Sequence, residues 1–139
     1  MRDTFSDCHP AVNFAYFALV LAFSMTLMHP VCLLLSLTGA CCYLARLHGL
    51  RELGHSARWL VPMALLAALV NPAFVHQGVT ILTYLPSGNP LTLESILYGL
   101  AAALLLASVV LWFRCFSAVM TSDKFIYLFG RAIPALSLV

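Results

Sequence analysis

The stretch 93–120 constrains this chain more than any other, because it stays apolar for the length of a bilayer crossing with Glu94 and Arg114 as its only charged residues. A hydrocarbon core needs about 20 consecutive, mostly apolar residues per helix. Three further stretches, 11–28, 31–47 and 60–75, have the same character. The second and third are short for a full crossing. Arg46 and Arg58 can snorkel from their ends, and His48 and Trp59 can sit at headgroup depth.

Composition bears this out: 63% of residues are hydrophobic and 9% charged, with a mean hydropathy of +0.98. Seven basic and five acidic side chains cannot cover the surface of a water-soluble domain this size. The expected fold class is therefore all-α, a polytopic helical membrane protein forming a single transmembrane domain over 1–139. A net charge of +2 with no Lys/Arg run excludes a nucleic-acid partner.

The first apolar run is expected to remain in the mature protein. It begins after Cys8-His9-Pro10, its leader Met1-Arg2-Asp3-Thr4 lacks a basic cluster, and His29-Pro30 at its far end is no cleavage site. The cysteines Cys8, Cys32, Cys41, Cys42 and Cys115 are odd in number and contain no C-x-x-C pair. They read as small hydrophobes packed between helices and not as a disulfide framework.

Basic residues set the expected orientation, since short loops rich in Lys and Arg stay on the cytoplasmic side. Arg46, Arg51 and Arg58 mark the link between the second and third spans, and Arg114, Lys124 and Arg131 lie at and beyond the end of the fourth. The connection from Gln77 to Leu93 has no Lys or Arg. Arg51 is thus expected in the cytoplasm, Ser87 outside, and the N-terminus inside. Within the outer connection, Pro86-Ser87-Gly88-Asn89-Pro90 reads as a turn between β-favouring flanks. A plain interfacial loop is the expectation there, with a small hairpin or re-entrant excursion as the alternative. Thr92 ahead of Glu94 supplies an N-cap and an acid in the first turn of the fourth span.

Chemistry-bearing groups are sparse. Asn13 and Asn71 are the notable amides within the spans, with Ser24, Thr26, Ser36, Thr38 and Ser108 as hydroxyls. No Asp, Glu or Lys lies mid-span, so a self-contained proton or ion pathway has nothing to run on. The histidines form no i, i+4 metal face and no Gly-x-Ser-x-Gly occurs. No catalytic residue, metal ligand or cofactor site is expected, and the chain is not expected to be an enzyme. Asn71-Pro72 is expected to kink the third span, and the small residues from Ala64 to Ala68 and from Gly99 to Ala103 to pack helices closely. Past the last span, Thr121-Ser122-Asp123-Lys124 starts a helix that continues through Phe125, Ile126, Leu128 and Phe129. The segment 122–134 thus reads as an amphipathic helix along the cytoplasmic face, with the beginning of a fifth membrane span as the alternative.

Three motifs carry a family resemblance. They are His9-Pro10 before the first span, Leu91-Thr92-Leu93-Glu94-Ser95-Ile96-Leu97-Tyr98-Gly99, and the stretch from Met120-Thr121-Ser122-Asp123-Lys124-Phe125 to Pro134. With Asn71-Pro72, they make the chain similar to the N-terminal part of the transmembrane T subunit of energy-coupling factor transporters, the EcfT/CbiQ family. The resemblance implies a scaffold and coupling subunit of an ECF-type ABC importer for vitamins or transition-metal ions. Such a subunit links two cytoplasmic ATPase subunits to a substrate-binding membrane S subunit in the cell membrane, and ATP hydrolysis belongs to the ATPases. It also implies a partner interface at Asp123, Lys124, Phe125, Leu128, Phe129, Arg131 and Pro134. Asn13 stands where many members have a basic residue. No Ala-Arg-Gly or Ala-Arg-Ser tripeptide occurs, so the chain is expected to be truncated before the family's coupling helices. The rival expectation is a stand-alone small tetraspan protein, structural or an unrecognised membrane enzyme.

Overall fold

A computed structural model describes residues 5, 8–76, 78–84 and 88–132, with side chains described as far as Gly130. Ser87 and Pro134 lie outside the described residues. The elements in order are α1 (Pro10–Thr26), α2 (Pro30–His48), α3 (Leu50–Phe74), β1 (Ile81–Tyr84), β2 (Pro90–Thr92), α4 (Leu93–Val119) and α5 (Ser122–Ala132). The chain is an all-α membrane protein: α2, α3 and α4 are long and apolar enough to cross a bilayer.

Two helices begin by the same device. His9 and His29 each precede a proline in the first turn, where the missing amide hydrogen costs nothing. Their imidazole Nδ1 atoms accept from the amides of Ala11 at 3.3 Å and Val31 at 3.4 Å. α1 spans 17 residues, or about 25 Å at 1.5 Å per residue, and ends at Thr26. That is short of the expected run to residue 28, because Leu27, Met28 and His29 form the connection to α2.

The third helix corrects the expected span 60–75. Residues 48–59 are not a loop: α2 and α3 are separated by Gly49 alone, whose φ of 86° is the left-handed geometry glycine adopts without strain. Its amide donates to the Ala45 carbonyl at 2.9 Å and closes α2. α3 then runs for 25 residues, about 37 Å, and places Arg51, His55 and Arg58 on a helix. Leu50, Leu53, Ala57 and Leu60 recur at helical spacing through the same stretch. Apolarity marked only the part of α3 that matches hydrocarbon.

The connection between α3 and α4 contains a hairpin and not a plain loop. β1 and β2 pair antiparallel, Ile81 with Thr92, Thr83 with Leu91 and Tyr84 with Pro90, with an irregularity between Ile81 and Thr83. Thr92 also caps α4, its hydroxyl accepting from the Ser95 amide at 3.3 Å, so strand and helix share one residue as boundary.

α4 lies against α1, α2 and α3. The core gathers on it: Leu111, Trp112, Cys115 and Val119 meet Phe17 of α1, Ala40 and Leu44 of α2, and Leu60 of α3. Cys115 is fully buried, in the packing role expected of a thiol between helices, and Cys32 and Cys41 are half-buried, whereas Cys8 and Cys42 are exposed and do not pack between helices. The outward side of α3, with Leu65, Leu66 and Leu69 each at least 60% exposed, presents the apolar surface that lipid would cover.

Candidate functional site

Residues expected to act are divided between the basic end of the bundle, the middle of the spans and the hairpin end. At the basic end α5 follows α4 after Met120 and Thr121. One side of it packs on α1: the Phe129 ring lies 6.0 Å from that of Phe14, and the Tyr127 ring 6.1 Å from His9. Lys124 is half-buried and its Nζ donates to the Val119 carbonyl at 3.1 Å, placing a cation at the C-terminus of α4 where the helix dipole favours one. Asp123 is exposed in the first turn of α5.

The apolar residues of α5 therefore split. Leu128 and Phe129 are half-buried, whereas Phe125, Ile126 and Tyr127 are exposed, Ile126 by 59%. Phe125 stacks on Phe129 with centroids 4.5 Å apart. Of the expected interface residues, Asp123 and Phe125 face outward, Lys124, Leu128 and Phe129 are partly taken up by the protein's own bundle, and Arg131 continues the helix. Ile126 joins the outward side, whereas Tyr127, though exposed, keeps its ring against His9 at the start of α1.

One charged pair at this end escaped sequence reasoning. Arg114 of α4 donates through Nη2 to Glu52 Oε1 at 3.1 Å and through Nη1 to the Ser56 hydroxyl. Ser56 in turn donates to the Glu52 carbonyl at 2.8 Å. Glu52 and Ser56 stand at i, i+4, so one face of α3 meets one guanidinium. The signal was present in that spacing, but it has meaning only once residues 50–59 are helical.

Inside the bundle, Asn71-Pro72 falls in the last turn of α3, which ends at Phe74, and Pro72 is buried there. Having no amide hydrogen, it leaves the Ala68 carbonyl without its usual i+4 donor. Gly99 of α4 faces that carbonyl so closely that a Cβ on it would lie 2.7 Å from the Ala68 oxygen and 3.0 Å from Pro72 Cδ. The small-residue packing expected at Gly99 is therefore real, and Asn71 and Pro72 form the other half of it. Pro62, inside the same helix, was not singled out.

Asn13 is fully buried on α1, and neither its carbonyl oxygen nor its amide nitrogen has a hydrogen-bond partner among the described residues. At the hairpin end the Glu94 carboxylate accepts from the Thr80 amide at 3.2 Å and the Thr80 hydroxyl at 2.9 Å. It thereby ties the segment entering β1 to the start of α4. A cavity of about 490 Å³ beside it is lined by Phe74, Val75, His76, Glu94, Ser95 and Tyr98.

Among the described residues no three His, Cys, Asp or Glu side chains converge as a metal site would require. The arrangement consists of a surface helix at one end, a tight α3–α4 seam through the middle, and a tethered hairpin at the other end. No protein-family model matches the chain, and no curated protein or solved structure is similar to it at a significant level.

Proposed function

We propose that the chain is a transmembrane scaffold of an ECF-type ABC importer for vitamins or transition-metal ions, passing movement from two cytoplasmic ATPase subunits to a substrate-binding membrane subunit. The observation that carries this reading is α5. It lies at the basic end, which the Lys/Arg asymmetry assigns to the cytoplasm, one side held by Phe129 against Phe14 and Tyr127 against His9, the other offering Phe125 and Ile126. A helix fixed to the bundle and apolar on its free side suits contact with another subunit. The motif resemblance at Met120 to Pro134 falls on this same element. Work on the substrate is done elsewhere in such an assembly, which fits a bundle whose polar groups join helices to one another.

The test separates the two sides of α5. Ile126→Asp places a charge on the exposed side, whereas Phe129→Asp places one against α1. With the partner subunits co-expressed, Ile126→Asp is expected to abolish their co-purification while membrane insertion and thermal stability stay unchanged. Phe129→Asp is expected to lower stability itself. Full co-purification of Ile126→Asp would overturn the proposed interface.

A further inference from the structure

The first turns of α3 carry a charge pattern that the scaffold role does not use. Arg51, His55 and Arg58 recur at i, i+4 and i+7 and share a helix face. All three are exposed, Trp59 beside them is exposed by 71%, and Arg51 and Arg58 make no ion pair among the described residues. The nearest acid, Glu52, is already bonded to Arg114.

Next to this face a groove of about 290 Å³ runs along the seam between α3 and α4, and its lining changes character along its length. His55, Ser56 and Arg114 stand at one end and Leu60, Met63 and Val110 toward the middle of the bundle, with Trp59 between. Polar groups at headgroup depth leading into an apolar trough match one kind of molecule. A soluble anion would leave the trough empty, and an uncharged amphiphile would leave Arg51 and Arg58, beside the groove mouth and in no ion pair among the described residues, without a counter-ion.

We propose that this groove seats an anionic phospholipid, an acyl chain along Leu60, Met63 and Val110 and its phosphate at the mouth beside His55, where Arg58, the i+3 neighbour of His55 just outside the groove, would meet it. Trp59 stands where the glycerol backbone would lie, the depth at which indole rings settle in bilayers. Basic side chains at that depth draw anionic lipid from the leaflet. Binding of this kind requires only that the chain be in a membrane, and it stands or falls independently of the importer reading.

The test uses the full chain purified in a neutral detergent, with lipid retention counted by native mass spectrometry. Dioleoyl phosphatidylglycerol is expected to be retained about tenfold better than dioleoyl phosphatidylcholine, which has the same chains. The double variant His55→Gln with Arg58→Gln should remove most of that preference. Met63→Trp, which fills the trough at a partly exposed position, should weaken retention of both lipids. Arg46→Gln, at the same end but on α2, should leave the preference intact. Unfolding curves for each variant separate lost binding from lost fold. Equal retention of the two lipids would overturn the proposal, as would an Arg46→Gln effect equal to that of the double variant. Displacement of phosphatidylglycerol by inorganic phosphate at comparable concentration would overturn it as well, since recognition would then need no acyl chain.

Discussion

Trp112 Nε1 donates to the Ser36 hydroxyl at 3.0 Å, and the Ser36 oxygen lies 2.6 Å from that of Ser24. One chain of hydrogen bonds thereby joins α4, α2 and α1. Side-chain hydrogen bonds between membrane helices contribute about 0.6 to 2 kcal/mol each. Ser36, bonded on both sides, is the member whose loss breaks both links. Ser36→Ala is expected to lower unfolding free energy by about 1 to 2 kcal/mol, measured by equilibrium unfolding in mixed micelles. Trp112→Phe on top of it should add less than its effect alone, because the shared bond is already gone. Additive effects would show that the chain is not coupled.

The seam at Gly99 predicts opposite outcomes for the same substitution at two glycines. A Cβ at Gly99 meets backbone, the Ala68 oxygen at 2.7 Å, whereas a Cβ at Gly54 meets nothing within 4 Å. Gly99→Ala is expected to cost about 1 to 3 kcal/mol by forcing α3 and α4 apart. Gly54→Ala should stabilise by about 0.5 to 1 kcal/mol through better helix propensity. Melting of the two variants side by side decides it, and equal shifts would contradict the close approach at Gly99.

Asn13 predicts a stabilising substitution. Its amide is fully buried without partners among the described residues, and a buried polar group left unpaired costs about 1 to 3 kcal/mol. Asn13→Leu, which keeps the branched skeleton of four side-chain heavy atoms and removes the polar ones, should raise stability by about 1 kcal/mol. A lower melting temperature for this variant would reveal a partner for the amide.

Orientation is tested by single cysteines at exposed positions in a background without the five native thiols. With Arg58→Cys and Asn89→Cys, a membrane-impermeant maleimide added to intact cells should label position 89 and spare position 58. Reversed labelling would place the basic end outside.

Much of the fold was legible because lipid imposes a simple condition, long apolar helices, on the chain. Runs 31–47 and 93–120 stand close to α2 and α4, and the His-Pro pairs mark helix starts as written. α3 was half legible: Leu50 to Trp59 mixes Arg51, His55 and Arg58 with Leu50 and Leu53, so a criterion of apolarity passes over it. The Glu52–Arg114 pair was hidden for the same reason, being sixty-two residues apart in sequence and joined only once α3 starts at Leu50. The hairpin pairing of Tyr84 with Pro90 was only the alternative to a plain loop, because strands of four and three residues carry too little alternation to stand out, and its tether from Glu94 to Thr80 depends on where α4 begins. At α5, sequence grouped Phe125 with Phe129 as one apolar side; the approach of α1 separates them.

The turn at Gly49 has a consequence for biogenesis. One residue spans at most about 3.6 Å, too little to let α2 settle across a bilayer while α3 waits on the far side of an aqueous gap. A hairpin this tight is expected to insert as a pair, with Arg46 and Arg51 on either side of the bend holding it at one face of the bilayer. Lengthening that bend would turn one insertion event into two.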